Sequence, residues 1–331
     1  MGPVLWPVRS APRDDARCNI DGVKHSEVAL LILACGACRG IEPIEAPGPL
    51  DDVGAARVAL GHRLFFDPVL SADDATPCAA CHRPEAGGAE PRPVSEGVRG
   101  ALGRRNAPSV LNASLKFAQF WDGREDELDA QALGPLYAED EMGLDAERLV
   151  ARLTSYRAEF ARAFPSDAAP LTPKNVALAL AAYERRLAWP GRIDRYLGGD
   201  EAALTAAERA GYDYFASNCA FCHDGPGIGG QRIERLGDRV PWPESRAQDR
   251  GRREVTNDED DDLKFVVPSL RNVGRTAPYF HDGSVETLDE AVRLMAKHQL
   301  DTEMTDREVE EVVAFLEALN GEAPAELVEA P

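Results

Sequence analysis

Apolar side chains recur at helical spacing along most of this chain, and polar capping residues mark where the helices begin. Three of these starts have a threonine followed three residues later by a glutamate, the capping-box pattern: Thr205 and Glu208, Thr287 and Glu290, Thr305 and Glu308. Further helices are expected from Leu50 to Phe66 and after Thr172, where a proline occupies the first helical position. Convincing alternation of apolar and polar residues is absent, so the pattern predicts a mostly α fold.

Two stretches of the chain resemble each other weakly. The sequences GHRLFF from Gly61 and GYDYFA from Gly211 each end a predicted helix that leads into a pair of cysteines. This repeat indicates two similar units, and the Pro190-Gly191 pair marks the junction between them. We therefore predict a first domain over 39–190, a second domain over 191–321 and a flexible tail over 322–331.

Composition and charge narrow the classes of function. The 331 residues are 44% hydrophobic and 28% charged, which is ordinary for a globular protein. The formal net charge of −20 disfavours binding to nucleic acid or to anionic lipid, because both require a basic surface. A charged partner would be cationic, and the acidic run 258–262 is either a solvated loop or a landing site for such a partner.

The first 38 residues have the features of an export leader. The apolar run from Val28 to Ala37 is too short to span a bilayer and matches the core of a signal peptide. The long, acidic stretch before it predicts that translation starts later, at Val23. The sequence ending at Cys35 is similar to a lipoprotein box, with Cys38 as a second acceptor. We expect a periplasmic protein, either lipid-anchored or soluble.

The four remaining cysteines lie in two Cys-x-x-Cys-His motifs, Cys78-Ala-Ala-Cys81-His82 and Cys219-Ala-Phe-Cys222-His223. This pattern is typical of c-type haem attachment, in which two thiols bond to the haem vinyl groups and the adjacent histidine ligates iron. A four-cysteine zinc site would leave both histidines unexplained. A thioredoxin-like motif would need a βαβ context, and local disulfides at this spacing would be strained. We therefore expect two covalently bound haem c groups.

Several residues outside the motifs are candidates for a second axial ligand to iron: His62, His281, His298, Met142, Met295 and Met304. Met295 lies in a helical apolar stripe, so it is either a ligand or a core residue. His298, one turn later, is either a competing ligand or a surface residue, and His62 is expected to be solvated. His281 lies in a turn-rich loop, where it could hold a backbone carbonyl or a haem propionate.

An open iron site that reacts with peroxide needs an acid–base group, because cleavage of the O–O bond moves a proton from the inner to the outer oxygen. The stretch from Gln131 to Met142 offers Glu139, Asp140 and Glu141 as carboxylates. The residue types alone do not choose among these three acids.

From Leu60 to Gly321 the chain resembles the bacterial diheme cytochrome c peroxidases, a family that includes the diheme enzyme MauG. The resemblance is carried by a series of motifs in order: LFFDPVLS before the first haem motif, RNAPSVLN, QFWDGR, QALGP followed by EM, the second haem motif, and TAPYFHDG with Met295 after it. Two cytochrome c-like domains, each carrying one covalently attached haem, are the fold that this resemblance implies. A homodimer is also compatible with it.

The resemblance implies roles for individual residues. His82 corresponds to the proximal ligand of the haem that binds peroxide, and Glu141 to the catalytic acid–base residue. Gln131 and Pro135 correspond to residues that shape its distal pocket. Trp121 corresponds to a tryptophan between the haems, and His223 and Met295 correspond to the axial pair of the electron-accepting haem. Asn106 corresponds, with the backbone carbonyls of Thr276 and Pro278, to a calcium site. Oxygen ligands of this kind suit calcium.

One departure from the family concerns Val98. Many family peroxidases have at this position a histidine that caps the first haem iron in the fully oxidised enzyme, and valine cannot ligate. We therefore predict an open first haem and a peroxidase that needs no prior reduction. Its substrate would be hydrogen peroxide and its donor a small soluble redox protein, a cytochrome c or a cupredoxin.

Two other functions compete with this prediction. The first is that of MauG-type enzymes, which oxidise a protein side chain and use tyrosine where this chain has Met295. Met295 therefore favours the peroxidase, whereas the missing capping histidine favours a MauG-type enzyme. A plain electron-transfer cytochrome without an open site is disfavoured by Glu141 and Gln131.

Overall fold

Helices dominate residues 40–331, the part of the chain that this computed structural model describes. The first half contains α1 (Asp52–Phe66), α2 (Cys78–Cys81), α3 (Leu128–Tyr137), α4 (Ala146–Arg152), α5 (Arg157–Ala163) and α6 (Pro173–Glu184). The second half contains α7 (Arg192–Leu197), α8 (Ala206–Asn218), α9 (Arg253–Thr256), α10 (Leu288–Leu300), α11 (Asp306–Ala318) and α12 (Ala325–Val328).

Short segments connect these helices. Strands β1 (Ile233–Arg235) and β2 (Lys264–Val266) pair antiparallel, with Ile233 opposite Val266. Single 3₁₀ turns lie at Pro68–Leu70, Pro84–Ala86, Val98–Gly100, Ala113–Leu115, Thr154–Tyr156, Arg185–Leu187, Glu201–Ala203, Glu244–Arg246, Glu259–Asp261 and Val273–Arg275. The prediction of a mostly α fold is confirmed.

The predicted helix starts depend on local side-chain caps, and most are present. Full capping boxes begin α8 at Thr205 and α11 at Thr305, and the Thr172 side chain caps α6. The Thr287 hydroxyl accepts a hydrogen bond from the Glu290 amide, but the Glu290 side chain does not return the bond, so the third expected box is only half formed. The first helix begins at Asp52 rather than Leu50, because the Asp51 carboxylate caps it.

The weak internal repeat corresponds to a repeated helix contact. A Cβ on Gly61 of α1 would lie 1.9 Å from the Ala179 carbonyl oxygen in α6. A Cβ on Gly211 of α8 would lie equally close, at 1.9 Å, to the Glu311 carbonyl oxygen in α11. Each motif is therefore preceded by a helix whose glycine lets a partner helix approach closely.

Two main hydrophobic clusters lie on either side of the Pro190-Gly191 pair in the sequence. The first contains buried side chains from Leu60 to Leu187, and the second from Ile193 to Leu319. Residues 41–331 nevertheless form one compact unit. The domain boundaries stay predictions.

A buried ion pair ties the start of the described chain to the second cluster. The Arg271 guanidinium donates two hydrogen bonds of 2.8 Å to the Asp194 carboxylate, and the two side chains are 1% and 5% exposed. Asp194 also accepts from the Ile44 and Gly191 amides. The pair is therefore desolvated and multiply bonded, and losing either partner would leave a buried charge.

Two histidines expected at the surface are buried. His62 stacks on Tyr183, with ring centroids 4.9 Å apart, and its Nε2 lies 2.8 Å from the Glu329 carbonyl oxygen. His298 places Nδ1 2.9 Å from the Val240 carbonyl oxygen and packs against Trp242. The expectation of solvent exposure was wrong for both, because segments distant in sequence cover them.

The C-terminal segment is also ordered against the first half, contrary to the prediction of a flexible tail. Helix α12 packs near Pro84–Ala86, and Leu327 contacts the first hydrophobic cluster. The Tyr183 hydroxyl donates a hydrogen bond of 2.7 Å to the Leu327 carbonyl oxygen. These contacts give the segment a fixed position that its polar composition does not indicate.

The leader, the lipoprotein box and Cys18, Cys35 and Cys38 lie outside the described residues. Among the helices from residue 40 onward, none has the length and apolar character required to cross a membrane.

Candidate haem sites and the residues between them

The first motif occupies a single helical turn. Cys78 and Cys81 begin and end α2, and the His82 amide donates to the Cys78 carbonyl oxygen at 3.0 Å. Neither cysteine forms a disulfide. Burial raises the pKa of Cys78 to about 12 and lowers the pKa of His82 to about 4. The imidazole is therefore neutral, which is the form that ligates iron.

The second motif follows the end of α8. Cys219 is the C-terminal cap of the helix, and the His223 amide donates to its carbonyl oxygen at 3.0 Å. Burial lowers the pKa of His223 to about 4 as well. A Cβ on Gly229 would lie 2.1 Å from the Pro268 carbonyl oxygen and 3.3 Å from His223 Nδ1, so this close packing requires glycine.

A cavity of about 280 Å³ opens beside the second motif. Its wall contains Cys219, Cys222, His223 and Met295, surrounded mainly by apolar and aromatic side chains. Two thiols, a neutral imidazole and a thioether around an apolar cavity fit a covalently attached haem with two axial ligands. The residues present therefore suit the predicted group.

The structure distinguishes partly among the candidate second ligands. Met295 on α10 and Met304 beyond it both line the cavity, whereas Met142 is buried in the first hydrophobic cluster. His298 is not among the lining residues and already contacts the Val240 carbonyl oxygen. His281 does line the cavity.

Glu141 differs from the two acids beside it in its surroundings. Glu139 and Asp140 are exposed, whereas Glu141 is partly buried. Burial raises the pKa of Glu141, the nearby Asp140 raises it further, and the Arg124 guanidinium opposes them. A carboxyl group with a raised pKa suits proton transfer near neutral pH.

Helix α3 and the turn after it position Glu141. The Glu141 amide donates to the Ala138 carbonyl oxygen, and the Met142 amide donates to the Pro135 carbonyl oxygen, both at 3.1 Å. The turn therefore folds back on the end of the helix that carries Gln131 and Pro135, the two predicted neighbours of the acid.

Val98 lies directly against this turn. Its amide donates a hydrogen bond of 2.8 Å to the Glu141 carbonyl oxygen, and its side chain is 1% exposed. A Cβ on Gly143 would lie 3.2 Å from Val98 Cγ2 and 3.5 Å from the Ala72 side chain, so Val98 fills the space between these residues. Val98, at the position of the family's capping histidine, is thus a packed core residue. Its backbone amide bonds the loop to the backbone of Glu141.

Trp121 is held by two hydrogen bonds, one made by its side chain and one by its backbone. Its indole Nε1 donates to the Asn106 carbonyl oxygen at 2.9 Å, and its own carbonyl oxygen accepts from the Val266 amide at 2.8 Å. The side chain lines the cavity of the second motif. Arg124, which acts on Glu141, follows in the same loop and stacks on the Phe120 ring. Trp121 therefore lies in the wall of the second cavity, three residues before the cation that acts on Glu141.

The three candidate calcium ligands line the same cavity. Asn106, Thr276 and Pro278 all line the cavity that contains Trp121. The Asn106 side chain donates its amide to the Arg92 carbonyl oxygen at 3.0 Å. Within residues 40–331 no group of three or more histidine, cysteine or acidic side chains could hold a metal ion, so a cation here would depend on amide and backbone oxygens.

The acidic run 258–262 is largely paired within the protein. Asp261 lies 3.1 Å from Lys264, Glu259 lies 3.5 Å from Arg253, and Asp262 pairs with Arg250. The run directly precedes β2, whose Val266 amide fixes Trp121. Glu259, Asp261 and Asp262 therefore have cationic partners within the chain, whereas Asp258 to Asp260 are exposed to solvent.

Sequence reasoning missed some charged residues near the sites. Arg124 was available as the last residue of QFWDGR but was given no role. Burial lowers the pKa of Lys116 to about 8 and raises the pKa of Glu184 to about 7. No sequence pattern signals that these two side chains are buried.

Known proteins resemble this chain in sequence and in fold. The family model for di-haem cytochrome c peroxidase matches residues 55–202. The cytochrome c551 peroxidase of Nitrosomonas europaea is 40% identical over 309 residues, 90% of this chain and 92% of that protein. The methylamine utilization protein MauG of Methylorubrum extorquens is 32% identical over 318 residues, 88% of this chain and 86% of that protein.

A solved structure is similar over most of the described fold. The crystal structure of a MauG-like protein associated with microbial copper homeostasis superposes with a TM-score of 0.75 at 30% identity. The superposition covers 88% of this chain and 97% of that protein.

Proposed function

Because this chain belongs to the di-haem cytochrome c peroxidase family, we propose that it reduces hydrogen peroxide to water with electrons from a small redox protein. Two electrons and two protons convert one peroxide to two waters. When bound, the haems would supply the redox chemistry: His223 would hold the haem that accepts electrons from the donor, and His82 would hold the haem at which peroxide reacts. The greater identity to the peroxidase than to MauG supports this function over protein oxidation.

The placement of Glu141 carries the proposal. Its carboxylate takes the proton from the inner oxygen of peroxide and returns it to the outer oxygen, which leaves as water. Partial burial and a raised pKa prepare it for both steps, and the exposed Glu139 and Asp140 lack this environment. Gln131 and Pro135 shape the pocket from the adjoining helix α3.

The packing of Val98 supports activity without prior reduction. A buried valine cannot ligate iron, and no other histidine lies between His82 and His223 in the sequence. The loop is bonded to Glu141 through its backbone, so the acid is held in place without any rearrangement. A haem held by His82 would therefore gain no side-chain ligand from residue 98 and would be open to peroxide.

Electrons travel from the second haem site towards the first by way of Trp121. The indole N–H is bonded to a backbone carbonyl, which fixes the ring in the wall of the second cavity. His223 and Met295 would hold the iron at the accepting site, and a thioether ligand there would raise the potential and favour acceptance of electrons.

The electron donor is a small cytochrome c or a cupredoxin. The acidic run 258–262 stays a candidate landing site, although three of its acids already face cations within the chain. The overall charge of −20 still attracts a cationic donor at long range.

Calcium, location and assembly complete the proposal. Asn106 with the carbonyl oxygens of Thr276 and Pro278 holds calcium beside Trp121, which would stiffen the wall between the haem sites. The predicted haem attachment and the expected export leader support a periplasmic location, with a lipid on Cys35 and a homodimer as further parts of the proposal.

Replacing the acid tests the function. Glu141→Gln removes the proton acceptor while keeping the shape of the side chain, and should lower turnover of peroxide about 100-fold or more. Glu139→Gln is the matched control, because this neighbouring glutamate is exposed. A nearly normal rate for Glu141→Gln would assign the proton transfer to another group.

A further inference from the structure

Asp122 is a buried carboxylate that two arginines share. The residue follows Trp121 in the chain and is 3% exposed. Its Oδ2 accepts hydrogen bonds from Arg105 Nη1 and, at 2.8 Å, from Arg124 Nη1. Its Oδ1 accepts from the Arg124 amide at 3.2 Å. Hydrogen bonds between charged groups are stronger than those between neutral ones, so Asp122 holds both the side chain and the backbone of Arg124.

Asp122 is itself held by partners other than Arg124. The Arg105 guanidinium donates two further hydrogen bonds to the Asp249 carboxylate. Arg252 Nη1 donates to the Asp122 carbonyl oxygen at 3.1 Å. The carboxylate therefore offers Arg124 an anchor whose position is fixed by the rest of the protein.

Arg124 connects this anchor to the helix before the acid. Its guanidinium carbon lies 3.4 Å from the centre of the Phe120 ring. A Cβ on Gly134 would lie 3.0 Å from Phe120 Cζ, so the ring packs against α3 one residue before Pro135. The turn that carries Glu141 folds back onto this same end of α3.

Few charged groups act on Glu141 in the described part of the chain. Burial raises the pKa of Glu141, the adjacent Asp140 raises it further, and Arg124 lowers it. Other charged residues on the segments packed against the turn do not contribute: Glu96 and Arg99 on the Val98 loop, and Asp129 on α3. Arg124 is therefore the one cation among residues 40–331 that favours the ionised acid.

We propose that Asp122 is a positioning residue for the acid: it holds the Arg124 guanidinium on the Phe120 ring and so fixes this cation against the end of α3. The inference rests on the proposed function in that Glu141 is the acid–base group. The Arg124 side chain is 38% exposed, so without its anchor the guanidinium would move into solvent, where its charge is screened. Glu141 would then lose the cation that favours its ionised form.

The direction of the effect separates positioning from a direct effect of charge. An anion near a carboxyl group raises the pKa of that group. Removing the Asp122 charge would therefore by itself lower the pKa of Glu141. Release of Arg124 raises this pKa instead, so a rise identifies an effect that passes through the arginine.

Infrared difference spectroscopy of the haem-loaded protein measures the pKa of Glu141 without turnover. The carboxyl band of Glu141 is identified at each pH by subtracting the spectrum of Glu141→Gln. Asp122→Asn removes the charge and keeps the shape of the side chain, and Arg124→Gln shows the full effect of losing the cation. Asp126→Asn is the matched control, because it removes an exposed carboxylate from the same loop.

We expect Asp122→Asn to raise the pKa of Glu141 by more than half of the rise in Arg124→Gln, and Asp126→Asn to match the wild type. In the double variant the pKa should not rise above that of Arg124→Gln alone, because the anchor then has no cation to hold. An unchanged or lowered pKa in Asp122→Asn, or a further rise in the double variant, would overturn the proposal. If Asp122→Asn does not retain both haems, Asp122→Ser provides the same comparison, and an unchanged or lowered pKa there would equally overturn it.

The two proposals fail in different ways. A raised pKa in Asp122→Asn, with a wild-type protein that does not turn over peroxide, would refute the peroxidase function and leave the positioning role standing. Normal turnover by the wild type with an unchanged pKa in Asp122→Asn would refute the positioning role and leave the peroxidase function standing.

Discussion

Gly97 lies where the Val98 loop touches the turn that carries Glu141, so Gly97→Ala tests whether this contact positions the acid. A Cβ at Gly97 would lie 2.1 Å from the Asp140 carbonyl oxygen and 2.7 Å from both Glu141 Cα and its carbonyl oxygen. The Gly97 backbone is extended, with φ −90° and ψ −159°, which alanine adopts readily. The added methyl group therefore acts through its contacts with the backbone of the turn.

The magnitude follows from these distances. Ordinary van der Waals contact begins at 3.4 Å, so the loop and the turn must separate by roughly 1 Å. The hydrogen bond of 2.8 Å from the Val98 amide to the Glu141 carbonyl oxygen would then be lost. A misplacement of about 1 Å near reacting groups costs up to about 100-fold in rate, which sets the expected loss in kcat/KM for peroxide. Overpacking should also cost about 1–3 kcal/mol of stability.

The assay is steady-state oxidation of a reduced small cytochrome c as a function of peroxide concentration. Gly103→Ala is the matched control, because it lies in the same loop and its Cβ would have 3.5 Å to the nearest atom, the Ser95 carbonyl oxygen. This control should behave like the wild type. If Gly97→Ala retains both haems and a wild-type kcat/KM, the loop does not position Glu141, and the argument from packing is refuted.

Three further predictions follow from charges in the structure. Because Glu141 must start ionised, kcat/KM for peroxide should fall on the acid side at a pH above the ordinary glutamate pKa of about 4.3. Arg124→Gln removes a cation that lowers the pKa of Glu141, so this fall should move to higher pH. A move to lower pH would contradict the assignment. Arg271→Met leaves Asp194 buried without its cation and should reduce the free energy of unfolding by about 3–5 kcal/mol in denaturant titrations, whereas a loss below about 1 kcal/mol would contradict the buried pair. Glu259→Gln removes an exposed charge that already faces Arg253, so KM for the donor should change less than about 2-fold, and a larger rise would support the landing-site hypothesis.

Features determined by local sequence were predictable. The capping boxes at Thr205 and Thr305 need only residues within one helical turn, and the two haem motifs each hold both thiols and the imidazole within one short segment. The repeated glycines Gly61 and Gly211 were visible as a pattern, although the close helix contacts that explain them were not.

Features that depend on distant segments were not predictable from composition. His62 is buried because Tyr183 and Glu329 come from other parts of the chain. The C-terminal segment has a polar sequence, yet Leu327 packs against the first hydrophobic cluster. An amphiphilic residue or a short polar segment carries no local signal of such partners.

The candidate acid illustrates the same limit. Glu139, Asp140 and Glu141 are adjacent carboxylates, and residue type alone does not separate them. The family resemblance selected Glu141, and the structure supplies a physical reason, since the turn after α3 and the Val98 loop shelter this residue while its neighbours stay exposed.

The most direct test of the account is stopped-flow mixing of the fully oxidised, haem-loaded protein with peroxide and a reduced small cytochrome c, without any prior reduction. The account predicts rapid, catalytic oxidation of the donor from the first turnover, because Val98 leaves the first haem open and Glu141 is already in place. A lag that disappears only after one haem is reduced would contradict it by showing that another ligand closes the first iron. Reaction of the haems with peroxide while the donor stays reduced would instead support oxidation of a protein side chain.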